Sequence, residues 1–439
     1  MWRLDKDPYL SSTFANLTIL DRPPDYDRLV RRMERATHVV PRLRRRVQSV
    51  PANLTAPMWV DDPDFDIRYH VRRISLPKPG NMRQLLDLTA LIAMDAFDRT
   101  RPLWQFWIID GLRGGRSAFV EKLHHTITDG EGGVQLAMQF LDLERDAPEP
   151  PAIDAIDDAD EPVTPEVWRE LLSGSLRVPA AMLRQVKDML ADPNSIPGTG
   201  GAAAETVRGI IQQLGDVESA RSPLWTARSL RRRFEVLRAP FRDTRDAARR
   251  LGGTLNTAFV TAAADAAANY HRRLGAPVEH LRASMAVSTR TEQSGANAFS
   301  LVRLNVPTGD MPIDERFRLI HEASSHARQS SATAALETIA AISSALPTSV
   351  ITRLARQQSQ TIDFATSNVK GTPIPVFIAG AQLLENYPVG PLLGVAFNLT
   401  LLSYDGSLDM GVNIDSAAVT EPELLRDLIS DAFTALASA

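Results

Sequence analysis

The sequence predicts a mixed α/β (α+β) protein built as two sheet-and-helix halves, on three observations. Its 439 residues exceed one ordinary core and fit two or three domains. Strand-like alternation and helix-like stripes are interspersed along the chain rather than segregated. The pattern breaks over 146–165, where Pro148-Glu149-Pro150-Pro151 and Asp157-Asp158-Ala159-Asp160-Glu161-Pro162 cannot bury a core. This divides the chain into an N-terminal half (1–145), a linker with connecting helices (146–222) and a C-terminal half (223–439).

In the N-terminal half, Leu29, Val30 and Met33 among arginines mark a helix over 25–35. Phe65, Ile67, Tyr69 and Val71 alternate with polar residues and predict a half-buried strand, with His70 on its polar face. Leu85, Leu88, Leu91 and Ile92 form one face of a helix over 82–97. Strands over 104–109 and 118–123 flank the turn-rich Asp110-Gly111-Leu112-Arg113-Gly114-Gly115, and a helix resumes near Val134. Within the linker, Thr164-Pro165 reads as a cap with proline at the first helical position. Helices over 180–190 and 206–214 flank a small-residue stretch at 198–204.

The C-terminal half opens with a strand over 233–237 and helices over 242–251 and 256–274, separated by Gly252-Gly253-Thr254. Strands are predicted over 282–288, 302–306, 376–379, 395–403 and 408–414, the last two joined by the hairpin Tyr404-Asp405-Gly406-Ser407. Thr420-Glu421-Pro422-Glu423 reads as a capping box opening a final helix over 424–436.

Composition narrows the function. With 44% hydrophobic and 23% charged residues, the chain matches soluble globular proteins rather than disordered, fibrous or integral membrane ones. Forty-nine Lys and Arg against 53 Asp and Glu give a net charge of -4, so nothing global points to nucleic acid. Cysteine is absent, which excludes disulfides, thiolate metal sites and a cysteine nucleophile. Met1-Trp2-Arg3-Leu4-Asp5-Lys6-Asp7 lacks a signal-peptide core, and no apolar run approaches the roughly 18 residues of a spanning helix. The expectation is a cytoplasmic protein.

The segment that carries chemistry is Glu121-Lys122-Leu123-His124-His125-Thr126-Ile127-Thr128-Asp129-Gly130. Two of the eight histidines are adjacent here. β-Branched Thr126, Ile127 and Thr128 resist helix, and the following glycines permit a reversal. A strand ending at Leu123 therefore delivers both imidazoles onto a loop at the sheet edge. An imidazole near its ordinary pKa can take a proton from a hydroxyl at neutral pH. No Gly-x-Ser-x-Gly elbow is present, so the simplest chemistry is an alcohol, activated by the base, attacking an activated acyl group. Asp129 could orient His125 or pair with a distant arginine; an extended loop carries it away from His125 and favours the second role. Two plainer readings compete: a metal site, although His-Glu-x-x-His is missing, and loop histidines bonded to backbone.

His124-His125-Thr126-Ile127-Thr128-Asp129-Gly130 matches the HHxxxDG motif of the CoA-dependent acyltransferase superfamily. Pro102-Leu103-Trp104 stands before the motif, and Val287-Ser288-Thr289-Arg290, Asn297, Ser367-Asn368-Val369-Lys370-Gly371 and Ser403-Tyr404-Asp405-Gly406 come after it, all in the matching order. Over nearly its whole length the chain thus resembles the bacterial wax ester synthase/diacylglycerol acyltransferase family. The resemblance implies two chloramphenicol-acetyltransferase-like domains with an active-site tunnel between them. It implies His125 as general base, His124 supporting the loop, Asp129 in a structural ion pair and Gly130 allowing close backbone approach near CoA. The implied partners are acyl-CoA and a diacylglycerol or long-chain alcohol, with peripheral contact to a membrane or lipid droplet, and no cofactor or metal.

Three positions depart from the family pattern. Asn256-Thr257 stands for an Asn-Asp pair, Gln105 for an acid, and Lys370 for a proline. The missing acid at 257 bears on efficiency or acceptor choice more than on fold. The oxyanion formed during attack needs a donor, and Asn256, Ser367 and Asn368 are the candidates. Their plain alternatives are a helix N-cap for Asn256 and a turn for the other two. Basic runs at Arg42, Arg44, Arg45 and Arg46 and at Arg231, Arg232 and Arg233 are solvated faces or sites for phosphate or lipid headgroups. The 180–190 helix docks on the protein's own body or lies in a lipid interface. His70, His271, His280, His321 and His326 read as structural or solvent-facing. Other acceptor alcohols, or lipid binding without turnover, remain as alternatives.

Overall fold

A computed structural model describes residues 2–49, 57–128, 130–150, 222–288, 299–331 and 348–439. The helices expected over 180–190 and 206–214, the 164–165 cap, most of the acidic stretch, and Thr289, Arg290 and Asn297 lie outside the described residues.

The described strands are β1 (Thr13–Leu20), β2 (Arg45–Gln48), β3 (Met58–Asp61), β4 (Val71–Ser75), β5 (Trp104–Leu112), β6 (Arg116–His124) and β7 (Leu141–Asp142), then β8 (Arg232–Pro240), β9 (His280–Ser288), β10 (Phe299–Pro307), β11 (Phe364–Val369), β12 (Phe377–Ile378), β13 (Ala381–Val389), β14 (Phe397–Tyr404) and β15 (Ser407–Asp415). They form a seven-stranded sheet, β4-β5-β6-β1-β13-β12-β7, and a six-stranded sheet, β10-β9-β11-β14-β15-β8, beside the β2-β3 hairpin. Both sheets are mixed: β4 runs parallel to β5, and β11 parallel to both β9 and β14.

The halves are interlocked. Strands β12 and β13 follow the Thr348–Ser359 helix of the C-terminal half in sequence, yet β13 pairs antiparallel with β1 in the N-terminal sheet, from Ala15↔Val389 to Leu20↔Leu383. Gly411 of β15 lies where a β-carbon would collide with the Pro388 carbonyl oxygen, so the sheets touch through backbone there. A buried Glu235 ties them elsewhere, accepting from Arg83 at 2.6 Å, Arg233 at 2.8 Å and Arg426 at 3.2 Å.

The Leu255–Arg273 helix is alanine-rich and buried almost all round, which lets neighbouring backbones approach closely. Thr254 caps it, its hydroxyl accepting from the Thr257 N–H at 3.2 Å. Against it packs the Pro422–Ser438 helix through Leu425, Ile429 and Phe433. Burying each such side chain stabilises by about 1.5–3 kcal/mol.

Several expectations need correction. Residues 65–71 are not a strand: Asp66 accepts from the Arg68 N–H at 2.9 Å, starting a short helix, Ile67–His70, and β4 begins only at Val71. His70 consequently turns inward, fully buried and stacked 4.4 Å from Trp104, with Nδ1 2.7 Å from the Trp104 carbonyl. The helix expected to 97 ends at Met94, and Leu91 is 61% exposed while Leu86 and Ala90 are buried. The final helix lacks the expected capping box; Glu421 makes no side-chain cap and Glu423 pairs with Arg233. The 404–407 hairpin is as expected, with Asp405 and Gly406 both at positive φ, 42° and 79°.

Candidate active site

Strand β6 lies between β5 and β1 and is buried from Ser117 to its end. Side chains alternate, so Glu121 and Leu123 face one side and Lys122 and His124 the other. Burying Glu121 pushes its carboxyl up to about 7, although Asn16 Nδ2 donates to it at 2.6 Å. Burying Lys122 pushes its amine down to about 8; Nζ donates to the Asp95 carbonyl at 2.6 Å and sits 4.4 Å over the Phe97 ring.

The strand runs one residue further than expected. His124 is its last member and is 1% exposed, while His125 alone of the pair is on the turn. His124 Nδ1 accepts from the Thr126 N–H at 3.1 Å and lies 2.8 Å from the Thr126 hydroxyl. Its Nε2 is 2.8 Å from Asp5 Oδ2. An amide can only donate and a carboxylate only accept, so the proton sits on Nε2. The Ile127 N–H donates to the His124 carbonyl at 2.9 Å, closing the turn.

His125 is half-buried, its ring 4.6 Å from Phe14 of β1. Its backbone N–H donates to the Ser12 carbonyl at 3.1 Å. Beyond the turn a helix, Gly130–Ala137, begins at Gly130; Asp129 lies outside the described residues. The Pro102-Leu103-Trp104 stretch supports the same strand: the Leu103 carbonyl accepts from the His124 N–H at 3.1 Å, and Trp104 Nε1 donates to Leu43 at 2.8 Å.

The oxyanion candidates fall into one pair and one outlier. Asn256 is not the cap of its helix but the second helical residue, Thr254 being the cap. Its Nδ2 donates to Met285 Sδ at 2.9 Å, and its Oδ1 accepts from Asn368 Nδ2 at 3.4 Å. Ser367 and Asn368 are in β11 rather than a turn. Strand alternation turns Ser367 to the face opposite Asn368, so the two cannot donate to one point. Val369, next along, packs on the N-terminal core cluster that also holds Phe14.

A cavity of about 210 Å³ lies between the halves, walled by Asp5, Tyr9, Phe97, Arg99 and His124 on one side and Leu230, Arg232, Phe234, Leu392 and Asn413 on the other. It meets the motif through His124 rather than His125. Among the described residues, no group of three or more His, Asp or Glu is placed to hold a metal ion, and no helix is long and apolar enough to cross a membrane. The first basic run is engaged by the protein itself: Arg45 with Asp61 at 3.0 Å, Arg44 over Phe65 at 4.6 Å, and Arg42 with the Ile127 carbonyl at 3.5 Å. Sequence reasoning missed Asp5, whose only signal was an acid near the N-terminus.

Two interlocked mixed sheets with a His-His pair at the end of a central strand define a two-domain, chloramphenicol-acetyltransferase-like fold. The structure of the wax ester synthase/diacylglycerol acyltransferase from Marinobacter aquaeolei VT8 superposes with TM-score 0.68 at 21% identity, covering 99% of this chain and 96% of that one. The starter condensation domain of rhizomide synthetase RzmA, solved with C8-CoA, gives 0.58 at 13%, covering 100% and 93%. The sequence model for the wax ester synthase/diacylglycerol acyltransferase catalytic domain matches residues 11–259, and that for the C-terminal domain residues 295–437. A putative diacylglycerol O-acyltransferase of Mycobacterium tuberculosis is 33% identical over 99% of this chain and 89% of its own length. Another from that organism, named probable diacylglycerol O-acyltransferase tgs1, is 28% identical over 98% and 92%.

The chain belongs to the wax ester synthase/diacylglycerol acyltransferase family. It is an acyl-CoA-dependent acyltransferase.

Proposed function

We propose that this chain moves a long-chain acyl group from CoA to diacylglycerol, a long-chain alcohol or both, with His125 as general base. His125 takes the proton of the acceptor hydroxyl as the oxygen attacks the thioester carbonyl carbon. The tetrahedral oxyanion collapses, the C–S bond breaks, and the imidazolium returns its proton to the CoA thiolate. Ester and free CoA leave, and the imidazole is neutral again. A positioned base of this kind contributes about 10²–10⁴-fold in rate. Asn256 and Asn368 are the proposed oxyanion side chains, since they form one polar group at the helix start; Asp129 is proposed as a structural ion-pair residue and Gly130 as the point of close approach to CoA.

The observation that carries this reading is the placing of His125 at the end of β6, half-buried, with its backbone held by Ser12 and its neighbour His124 fixed from both ring nitrogens. Peripheral contact with a membrane or lipid droplet belongs to the same proposal. It is supported by exposed Met94 (40%) and Leu230 (45%), both lining the cavity. The test supplies purified protein with labelled palmitoyl-CoA and a panel of diacylglycerols and alcohols, beside His125→Ala. Ester formed by the wild type and lost in the variant supports the reading and names the acceptor. Lipid bound by both without ester would replace catalysis with a binding function.

A further inference from the structure

We infer that Asp5 is a positioning residue for His125, acting through both segments that hold it; this rests on His125 being the base. One carboxylate oxygen accepts from His124 Nε2 at 2.8 Å, and the other accepts from the Ser12 N–H at 2.7 Å. Ser12 in turn presents its carbonyl to the His125 N–H at 3.1 Å. A single partly buried carboxylate therefore touches the residue before His125 in sequence and the residue opposite it in β1's approach. Arg99, 3.6 Å away, supplies a cation that offsets the burial of this charge.

The arrangement also sets a protonation state. With Thr126 donating to Nδ1, an Asp5 carboxylate on Nε2 selects the neutral Nε2–H form of His124 and fixes its ring plane. The Thr126 amide then ties the turn that carries His125 to that fixed ring. Without the carboxylate, the Ser12 N–H loses its acceptor and the His124 ring loses its anchor. His125 would then sit displaced from its reacting position, where errors near 1 Å cost about 10²-fold.

The experiment compares Asp5→Asn and Asp5→Glu with wild type in the full chain, using labelled palmitoyl-CoA and the acceptor found above. Asp5→Asn is expected to lower kcat by roughly tenfold to a hundredfold with KM for acyl-CoA within about twofold, and Asp5→Glu to recover part of the loss. The ¹⁵N resonances of His124 are expected to report one Nε2–H tautomer in wild type and a mixture in Asp5→Asn. A kcat within twofold of wild type, a loss confined to KM, or a protonated or Nδ1–H His124 in the wild type would overturn the inference. If Asp5→Asn does not fold, Asp5→Glu, which keeps the charge but moves the carboxylate by one methylene, is read instead; an unchanged kcat together with an unchanged His124 tautomer there also overturns it. Activity surviving in His125→Ala would defeat the base assignment itself, an outcome separate from any result at Asp5.

Discussion

The Thr257 hydroxyl lies 3.1 Å from His321 Nδ1 and 3.0 Å from the Thr254 hydroxyl, closing a capping box at the start of the long buried helix. Thr257 is thus engaged structurally at the position where the family pattern has an acid. Thr257→Val keeps the shape and removes both bonds. It is expected to destabilise the fold by about 1–2 kcal/mol, read as a lower urea midpoint at unchanged slope, with the helix start beside Asn256 loosened and turnover reduced.

Two buried groups give the fold opposing pH dependences. Glu121 is pushed up to about 7 by burial, so between its ordinary 4.5 and 7 the unfolded chain is ionised while the folded one holds the proton. Its contribution to stability therefore falls as pH rises through that window. His70 is pushed down to about 4 by burial, against its ordinary 6.5. Between 4 and 6.5 the unfolded chain binds the proton and the folded one does not, so that contribution is lost as pH falls. Melting temperatures across pH 4–7.5 check the signs. Relative to wild type, Glu121→Gln is expected to gain as pH rises, and His70→Gln as pH falls.

Close approach of the sheets at Gly411 leaves no room for a methyl group, because the obstacle is the Pro388 backbone rather than a movable side chain. Gly411→Ala is expected to cost about 1–3 kcal/mol and to shift β13 with β15. Gly133, in the helix after the motif, meets nothing within 4 Å of an added β-carbon. Gly133→Ala is expected to stabilise by about 0.5–1 kcal/mol. Paired thermal unfolding curves distinguish the two.

Leu91, Met94 and Leu230 are 61%, 40% and 45% exposed. Replacing Met94 and Leu230 together by Glu is expected to weaken flotation with anionic vesicles and to lower turnover of vesicle-borne diacylglycerol severalfold, while a short, dispersed alcohol is acylated as before. Equal loss on both acceptors would point to a damaged cavity rather than a lost lipid contact.

Much of the site was legible because its residues are local in sequence: a turn over His125–Ile127 follows directly on His124, the last residue of β6, and the β-branched Thr126, Ile127 and Thr128 give the end of regular structure away. The support around it was not legible. Asp5 and Ser12 reach the motif from more than a hundred residues away, and no periodicity marks a carboxylate that bonds across a fold. β1 was missed because it is covered on both sides, with Leu17 and Ile19 facing one core while Asn16 and Thr18 bond across strands on the other. β13 carries Asn386 and Pro388 and its N-terminal-sheet pairing is non-local, so its pattern did not announce a central strand. Phe65 to Val71 alternate convincingly, but Asp66 caps a turn there and local hydrogen bonding overrode the alternation.

The rate of the first turnover settles the central claim most directly. Labelled palmitoyl-CoA is mixed with saturating acceptor and excess enzyme and quenched at short times, comparing wild type with His125→Ala of matched melting temperature. The account predicts ester formation slowed by about 10²–10⁴-fold with acyl-CoA still bound. Equal single-turnover rates in the two proteins would contradict it.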